Sequence, residues 1–238
     1  GWIDDNLINN PVTTAINPND PLYNNQGYLL PAPQGIDAAH VWTNFPNCVE
    51  SPNETTGVVD LERGWNFNHE DLTTANNNGV PTLIDNGWTV DINDQIRAAS
   101  ANHGTAVLGE IAGVDNAVGV VGIAPRVGSV RAISYWDDGG GNSNVADSII
   151  TAIQTMNAGD ILLLEIQNNF LPAERILASF IAIQLATALN IIVIEAAGNG
   201  ANNLDNQNHI GFNGNTFNRN SASFRESGAI MVGACNSP

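Results

Sequence analysis

The sequence predicts an α/β domain built on a mostly parallel sheet, and three observations carry that prediction. Apolar runs of strand length alternate with helical patterns from about Thr55 onward. Two of the runs, "ILLLEI" at Ile161–Ile166 and "IIVIEAAG" at Ile191–Gly198, are nearly unbroken, which suits strands buried on both faces. No internal repeat or linker interrupts the series, so one domain is the economical reading. Strands joined through helices require right-handed crossovers, and such crossovers leave neighbouring strands parallel.

The elements follow in order. Residues 1–47 are rich in Asn and Pro and have little periodicity. They read as an arm packing on the body, 48–238, and end in a short helix near Ile36–Trp42. Thr56–Leu61 is a short strand with Asp60 at its end, and Thr105–Gly113 is a helix with His103 at its mouth. Gly128–Tyr135 is a strand and Val145–Asn157 a helix. Gly159-Asp160 turns the chain into the strand Ile161–Ile166. Glu174–Leu189 is a helix, Ile191–Glu195 a strand and Ala229–Ala234 the last strand. No charge falls between Arg175 and Glu195. Ser179, Gln184, Thr187 and Asn190 nonetheless break that run, so it reads as a helix and a buried strand, not a membrane span.

Composition narrows the partners. The 238 residues carry seven Arg, no Lys and 24 acids, a net charge of −17. A chain so acidic does not bind nucleic acid by neutralising phosphates, nor does it hold to anionic lipid. Charged residues are only 13%, so Asn, Gln, Ser and Thr supply much of the polar surface. Residues 1–20 show neither a basic nor an apolar leader region, as expected of a cytosolic protein or of a mature chain whose signal is gone. Cys48 and Cys235 either pair across a long loop or remain two buried thiols. No His/Cys cluster has zinc spacing.

Functional groups in open parallel sheets gather at the C-terminal ends of strands. "TGVVDLERG" puts a carboxylate at such an end, "NHGTAVLGEIAG" an imidazole at a helix start and "EAAGNG" an amide in a tight turn. Alone, each has a plain structural role: a cap, a helix residue, a left-handed turn. In this order, joined to "GIAP" and "GAIMVGA", they resemble the subtilisin-like serine proteases, or subtilases. The resemblance runs from about Pro21 to the last residue and is strongest at His103–Pro125.

The resemblance implies a three-layer, doubly wound, subtilisin-like sheet and a secreted serine endopeptidase acting on polypeptides. It assigns the general base to His103, the orienting carboxylate to Asp60 and an oxyanion donor to Asn199. Gly140, Leu164, Glu165, Ile166 and Gln167 would line the substrate cleft. Glu165-Ile166-Gln167 stands where the family shows a small Ser-Leu-Gly stretch. The acid implies either a preference for a basic residue, or a Glu paired with a nearby Arg. Glu195 reads as a second acid on the same side. The family's Asp-Ser/Thr-Gly becomes "DLERG", with two extra residues before Gly64.

The family's nucleophile, a Ser in a Gly-Thr-Ser block opening a central buried helix, is not found after Asn199. Ser221, Ser223 and Ser227 lie in a segment that matches the part upstream of it. The expectation is therefore a nicked chain, a truncated chain or an incompletely determined sequence, incomplete at its C-terminus, with a companion chain as one place for the rest. The missing helix would leave apolar strand faces open. The rival reading is a non-catalytic binding protein, lectin- or inhibitor-like, on the same fold. "VDNAVGV" at Val114–Val120 resembles the family's calcium loop. It implies carbonyl ligands from Val114, Val118 and Val120, with side chains from Asn116 and Asp71.

Overall fold

A computed structural model describes residues 16, 18–45, 56–75, 79–90, 98–205 and 216–235. Cys48, and with it the suggested bridge to Cys235, lies outside the described residues. The first helix is α1 (Ala38–Asn44). The body then runs β1 (Gly57–Glu62), β2 (Thr82–Leu83), α2 (Ala98–Ala112), β3 (Ser129–Ser134), β4 (Trp136–Asp137), β5 (Asn142–Ser143) and α3 (Val145–Ile153). It continues with β6 (Ile161–Leu164), β7 (Gln167–Asn168), β8 (Leu171–Pro172), α4 (Leu177–Ala188), β9 (Ile192–Ala196) and β10 (Ile230–Val232).

Six strands form one sheet in the order β10-β9-β6-β1-β3-β2, and each of its pairings is parallel. The expected α/β class is therefore what the chain folds into. β4–β5 and β7–β8 are small antiparallel hairpins set beside the sheet. Alternation along the strands sorts side chains to two faces. Val59, Leu61, Leu162, Leu164 and Val193 face α3 and α4 and build the larger core. Val130 and Ala132 face the other way, against Trp65, Leu72, Leu108 and Ala112 of the α2 layer. That makes three layers.

Local chemistry sets the element ends. Asn144 caps α3, its Oδ1 accepting from the Asp147 N–H at 3.1 Å, so the helix starts where the pattern placed it. Asn190 adopts the left-handed region at φ 61° and closes α4. The helix expected from Glu174 begins at Leu177 instead. Glu174 belongs to a short 3-10 turn (Ala173–Arg175), and the extended backbone of Ile176 separates the two. β6 ends at Leu164, not Ile166, because the next residues leave the ladder to form β7. The arm packs on the 119–123 segment. Leu22 N–H donates to Gly119 O at 2.9 Å, Gln26 Nε2 to Val121 O at 2.7 Å, and Trp42 Nε1 to Ile123 O at 2.9 Å.

One sheet face is only partly covered. Val58, Ile161, Leu163 and Ile194 form the floor of a trough of about 560 Å³, walled by Val107 and Ile111 of α2. Ile230 pairs with Ile194 and Val232 with Ala196, so they extend the same face. Ile192, Ile230 and Val232 are 43, 55 and 52% exposed, which leaves an apolar surface open beyond α2.

Candidate functional site

The His-Gly-Thr block has a packing explanation. Gly104 lies so close to the β1–Trp65 turn that a Cβ there would come 2.5 Å from Gly64 O and 2.7 Å from the Trp65 ring. Only glycine permits that approach. Thr105 locks the junction, its Oγ1 accepting from Asn66 N–H at 2.8 Å and donating to Ala101 O at 2.6 Å. α2 is thereby fixed against the end of β1. His103 is not at the helix mouth but well inside α2, which starts at least as early as Ala98.

His103 Nδ1 stands 2.6 Å from Glu62 Oε1. Asp60, the carboxylate expected there, makes no hydrogen bond to His103. It is fully buried and accepts from Trp65 Nε1 at 2.7 Å, while its Oδ1 has no partner. Two residues apart on β1, the two acids share a face, and Asp60 sits one step deeper, beneath the indole. Sequence reasoning thus stopped one strand period short. The signal was present: Glu62-Arg63-Gly64 keeps the family's acid-x-Gly spacing, and reading Asp60 required two inserted residues.

The imidazole is 57% exposed and the Glu62 side chain 6%, so a buried carboxylate holds an accessible base. The strand end is fixed in turn: Ser134 Oγ donates to Arg63 O at 3.0 Å, and Tyr135 N–H to Glu62 O at 3.0 Å. Burial pushes the Glu62 carboxyl up to about 8, the nearby charge of Glu165 adds to the rise, and the Arg63 N–H opposes it. Burial raises Asp60 well above the usual carboxylate range, with the charge of Glu62 adding to it. Burial thus disfavours the charged form of Asp60.

Across a cleft of about 380 Å³ from His103 and Glu62 lie Glu165, Ile166, Gln167 and Asn199. Gly198 opens the turn at φ 94°, a conformation suited to glycine. Asn199 N–H donates to Gln167 Oε1 at 2.8 Å. The β7–β8 hairpin braces the turn, with Asn202 Nδ2 donating to Phe170 O at 3.0 Å.

Three expected positions fall elsewhere. The Leu164 side chain is fully buried in the α3–α4 core. Gly140 sits in the exposed β4–β5 turn, its N–H donating to Asp137 Oδ2 at 2.9 Å, and does not line the cleft. Glu195 is corrected: alternation turns it to the α4 side, where Glu174 N–H donates to its Oε2 at 3.4 Å. Burial first, then the charge of Glu174, pushes the Glu195 carboxyl up to about 9.

Val114, Asn116, Val118 and Val120 ring a tight loop over Asp71. Val114 N–H donates to Asp71 O at 2.9 Å and Val120 N–H to Asp71 Oδ2 at 3.3 Å. Asn116 Oδ1 accepts from Val118 N–H at 2.9 Å, and Asn116 Nδ2 donates to Glu70 O at 3.0 Å. Asp20, which sequence reasoning missed, reaches in from the arm and accepts from Asn116 N–H at 3.3 Å. Asp20 and Asp71 are 4% and 2% exposed, and each keeps one buried oxygen, Oδ2 and Oδ1, without a partner. Burial raises both, and the charge of Asp20 adds to the rise at Asp71. His69 Nδ1 lies 3.6 Å from Asp71 Oδ2. Among the described residues no three His, Cys, Asp or Glu side chains converge as a metal site, so any ion here depends on carbonyl oxygens as well.

The chain is 30% identical over 162 residues to Subtilisin DY of Bacillus licheniformis, an alignment covering 67% of this chain and 52% of that protein. It thus spans about half the length of this curated relative. A crystal structure of a psychrophilic subtilisin-like protease from the Antarctic psychrotroph Pseudoalteromonas sp. AS-11 is 25% identical, with a TM-score of 0.45 over 60% of this chain and 31% of that one. Residues 53–238 match the Peptidase S8 profile, and the chain belongs to the subtilase family.

Proposed function

We propose that this chain supplies the base, its orienting acid and the oxyanion donor of a secreted serine endopeptidase, with Glu62 in the orienting role. The observation that carries the reading is the 2.6 Å contact between His103 Nδ1 and Glu62 Oε1, facing Asn199 across one cleft. Once pH climbs through about 8 and the buried Glu62 ionises, Nδ1–H donates to it and Nε2 is free to take a hydroxyl proton. The imidazolium so formed is stabilised by Glu62 and returns the proton to the leaving amine. The Asn199 amide donates to the oxygen that becomes negative as the carbonyl carbon turns tetrahedral. Water repeats the sequence and releases the acid.

The nucleophilic serine belongs, in this reading, to a helical segment that docks in the apolar trough below His103. The trough's floor and the exposed Ile192, Ile230 and Val232 favour an apolar helix there. That segment would be the companion to this chain. Among the described residues no helix is long and apolar enough to cross a membrane. Nothing in the fold or the family match favours the rival, non-catalytic reading. A serine-directed fluorophosphonate tests the proposal. Native material containing this chain should label, labelling should vanish in His103→Ala, and the labelled peptide should map to the docked segment. Absence of labelling in folded material with an intact trough would sink it.

Calcium is the second part of the proposal. Two buried carboxylates, each with one orphan oxygen, fit a hard cation. Asp20, Asp71 and the carbonyls of Val114, Val118 and Val120 would hold it. The Asn116 side chain keeps a lone pair on Oδ1 beyond the one it gives to Val118. The ion would supply charge neutralisation that ties the arm to the body. Calcium at about 100 times its dissociation constant should raise the melting temperature by about 5–10 °C. Asp20→Asn and Asp71→Asn should each abolish that gain; a melting temperature indifferent to calcium and chelator would refute the site.

A further inference from the structure

Glu165 sits immediately after β6 at the join between the polar cleft and the apolar trough, and it lines both, as His103 does. Its side chain is half-buried and receives no hydrogen bond or ion pair among the described residues. Five described arginines make other contacts, although Arg63 lines the same cleft as Glu165. Arg131 pairs with Asp160 at 3.2 Å, Arg219 with Glu226 at 3.4 Å, and Arg63 lies 4.0 Å above the Trp136 ring. Arg175 donates to Asn168 Oδ1 at 3.2 Å, and Arg225 lies 4.8 Å from the Phe180 ring.

The open alternative left by the sequence, a Glu paired with a neighbouring Arg, finds no ion pair among the described residues. Burial raises the Glu165 carboxyl, and the charge of His103 offsets only part of that rise. Glu62 cannot relieve it, being a like charge already engaged with His103. A half-buried carboxylate without a counterion is costly unless something that binds there carries the missing positive charge. His103, Glu165 and Asn199 line the same cleft.

We propose that Glu165 is a specificity-determining residue that receives a cationic side chain, Lys or Arg, of the bound polypeptide. This rests on the reading above that the cleft binds a peptide for hydrolysis. The chain's charge of −17 acts in the same direction, drawing cationic peptides toward the cleft at low salt. Gln167 and Ile166 complete the local lining. They offer a neutral polar contact and an apolar wall for the aliphatic stem of such a side chain.

The test has two arms. In fluorophosphonate-reactive material, kcat/KM is measured on peptide amides that differ only in the residue before the scissile bond: Arg, its neutral isostere citrulline, and Leu. Arg should exceed citrulline by about 10- to 100-fold, the ratio should shrink with added salt, and Glu165→Gln should bring the Arg-to-citrulline ratio to within about 3-fold. The second arm needs no turnover: agmatine should shift the His103 ring resonances of the full chain, and Glu165→Gln should abolish that shift. Glu165→Leu controls for folding, since removing an uncompensated charge should not lower the melting temperature. Labelling with no Arg preference, or with a preference that survives Glu165→Gln, overturns this inference and leaves the peptidase reading standing. No labelling but Glu165-dependent agmatine binding upholds the cation site and removes the peptidase reading. Neither labelling nor binding removes both.

Discussion

Replacing Glu62 with Gln should cut turnover by about 10⁴-fold, whereas Asp60→Asn should leave it within about 5-fold of the parent. The larger figure is the loss that follows when the orienting acid of a serine protease is neutralised, a subtilisin among the cases. A glutamine keeps the size of Glu62 but offers Nδ1 no negative charge, so the imidazolium loses its partner. Among the described residues Asp60 accepts only from Trp65, and burial disfavours its charged form, so Asn removes no contact that His103 uses. A readout independent of turnover is the low-field proton resonance of the His103 Nδ1–H. It should disappear in Glu62→Gln and persist in Asp60→Asn. The opposite pattern would return the orienting role to Asp60.

Thermal stability should fall steadily as pH rises from about 5 to 9, and Glu195→Gln should remove much of that slope. Glu195 is 1% exposed and faces Glu174, 6% exposed, inside the molecule. Its carboxyl, ordinarily near 4.5, is pushed up to about 9 by burial and then by Glu174. The folded state therefore keeps a proton that the unfolded chain has released. The stabilisation is complete below about 4.5 and is lost as pH climbs through about 9. Glu62 adds a term of the same sign that ends near 8. One proton is worth roughly 1.4 kcal/mol per pH unit, or about 3–5 °C in a domain of this size. Identical pH profiles for the parent and Glu195→Gln would mean that the pair does not hold that proton.

The legible and illegible parts of the sequence divide on physical lines. Strand and helix placement came from hydrophobic period, so β3, β6, α3 and β9 fall within a few residues of their expected ranges. The α2 start was missed because the signals at His103-Gly104-Thr105 concern packing onto Trp65 and Asn66, not helix initiation. Placing Asp60 on His103 failed because alternate strand residues share a face, and it is Glu62 that meets the base. Glu195 was put on the wrong side for the converse reason: its neighbour Ile194, not Glu195, points to the cleft side. Asp20 left no local trace at all, since its meeting with Asp71 depends on how the arm lies across the body.

β1 is the first strand in the chain yet lies inside the sheet, between β3 and β6. Both partners come from downstream, so the β1–β3 ladder waits for α2 and the β1–β6 ladder for α3 as well. Such non-local pairing charges loop-closure entropy before any contact rewards it, which makes folding slow relative to helical proteins of similar size. The strand that carries Glu62 is consequently a late-assembling element during synthesis and among the last to open afterwards. The outermost strands, β2 with two residues and β10 with three, have one neighbour each and should exchange their amide hydrogens first. The His103–Glu62 contact is thus tied to a strand expected to exchange slowly, while the apolar rim at Ile230 and Val232 should open first.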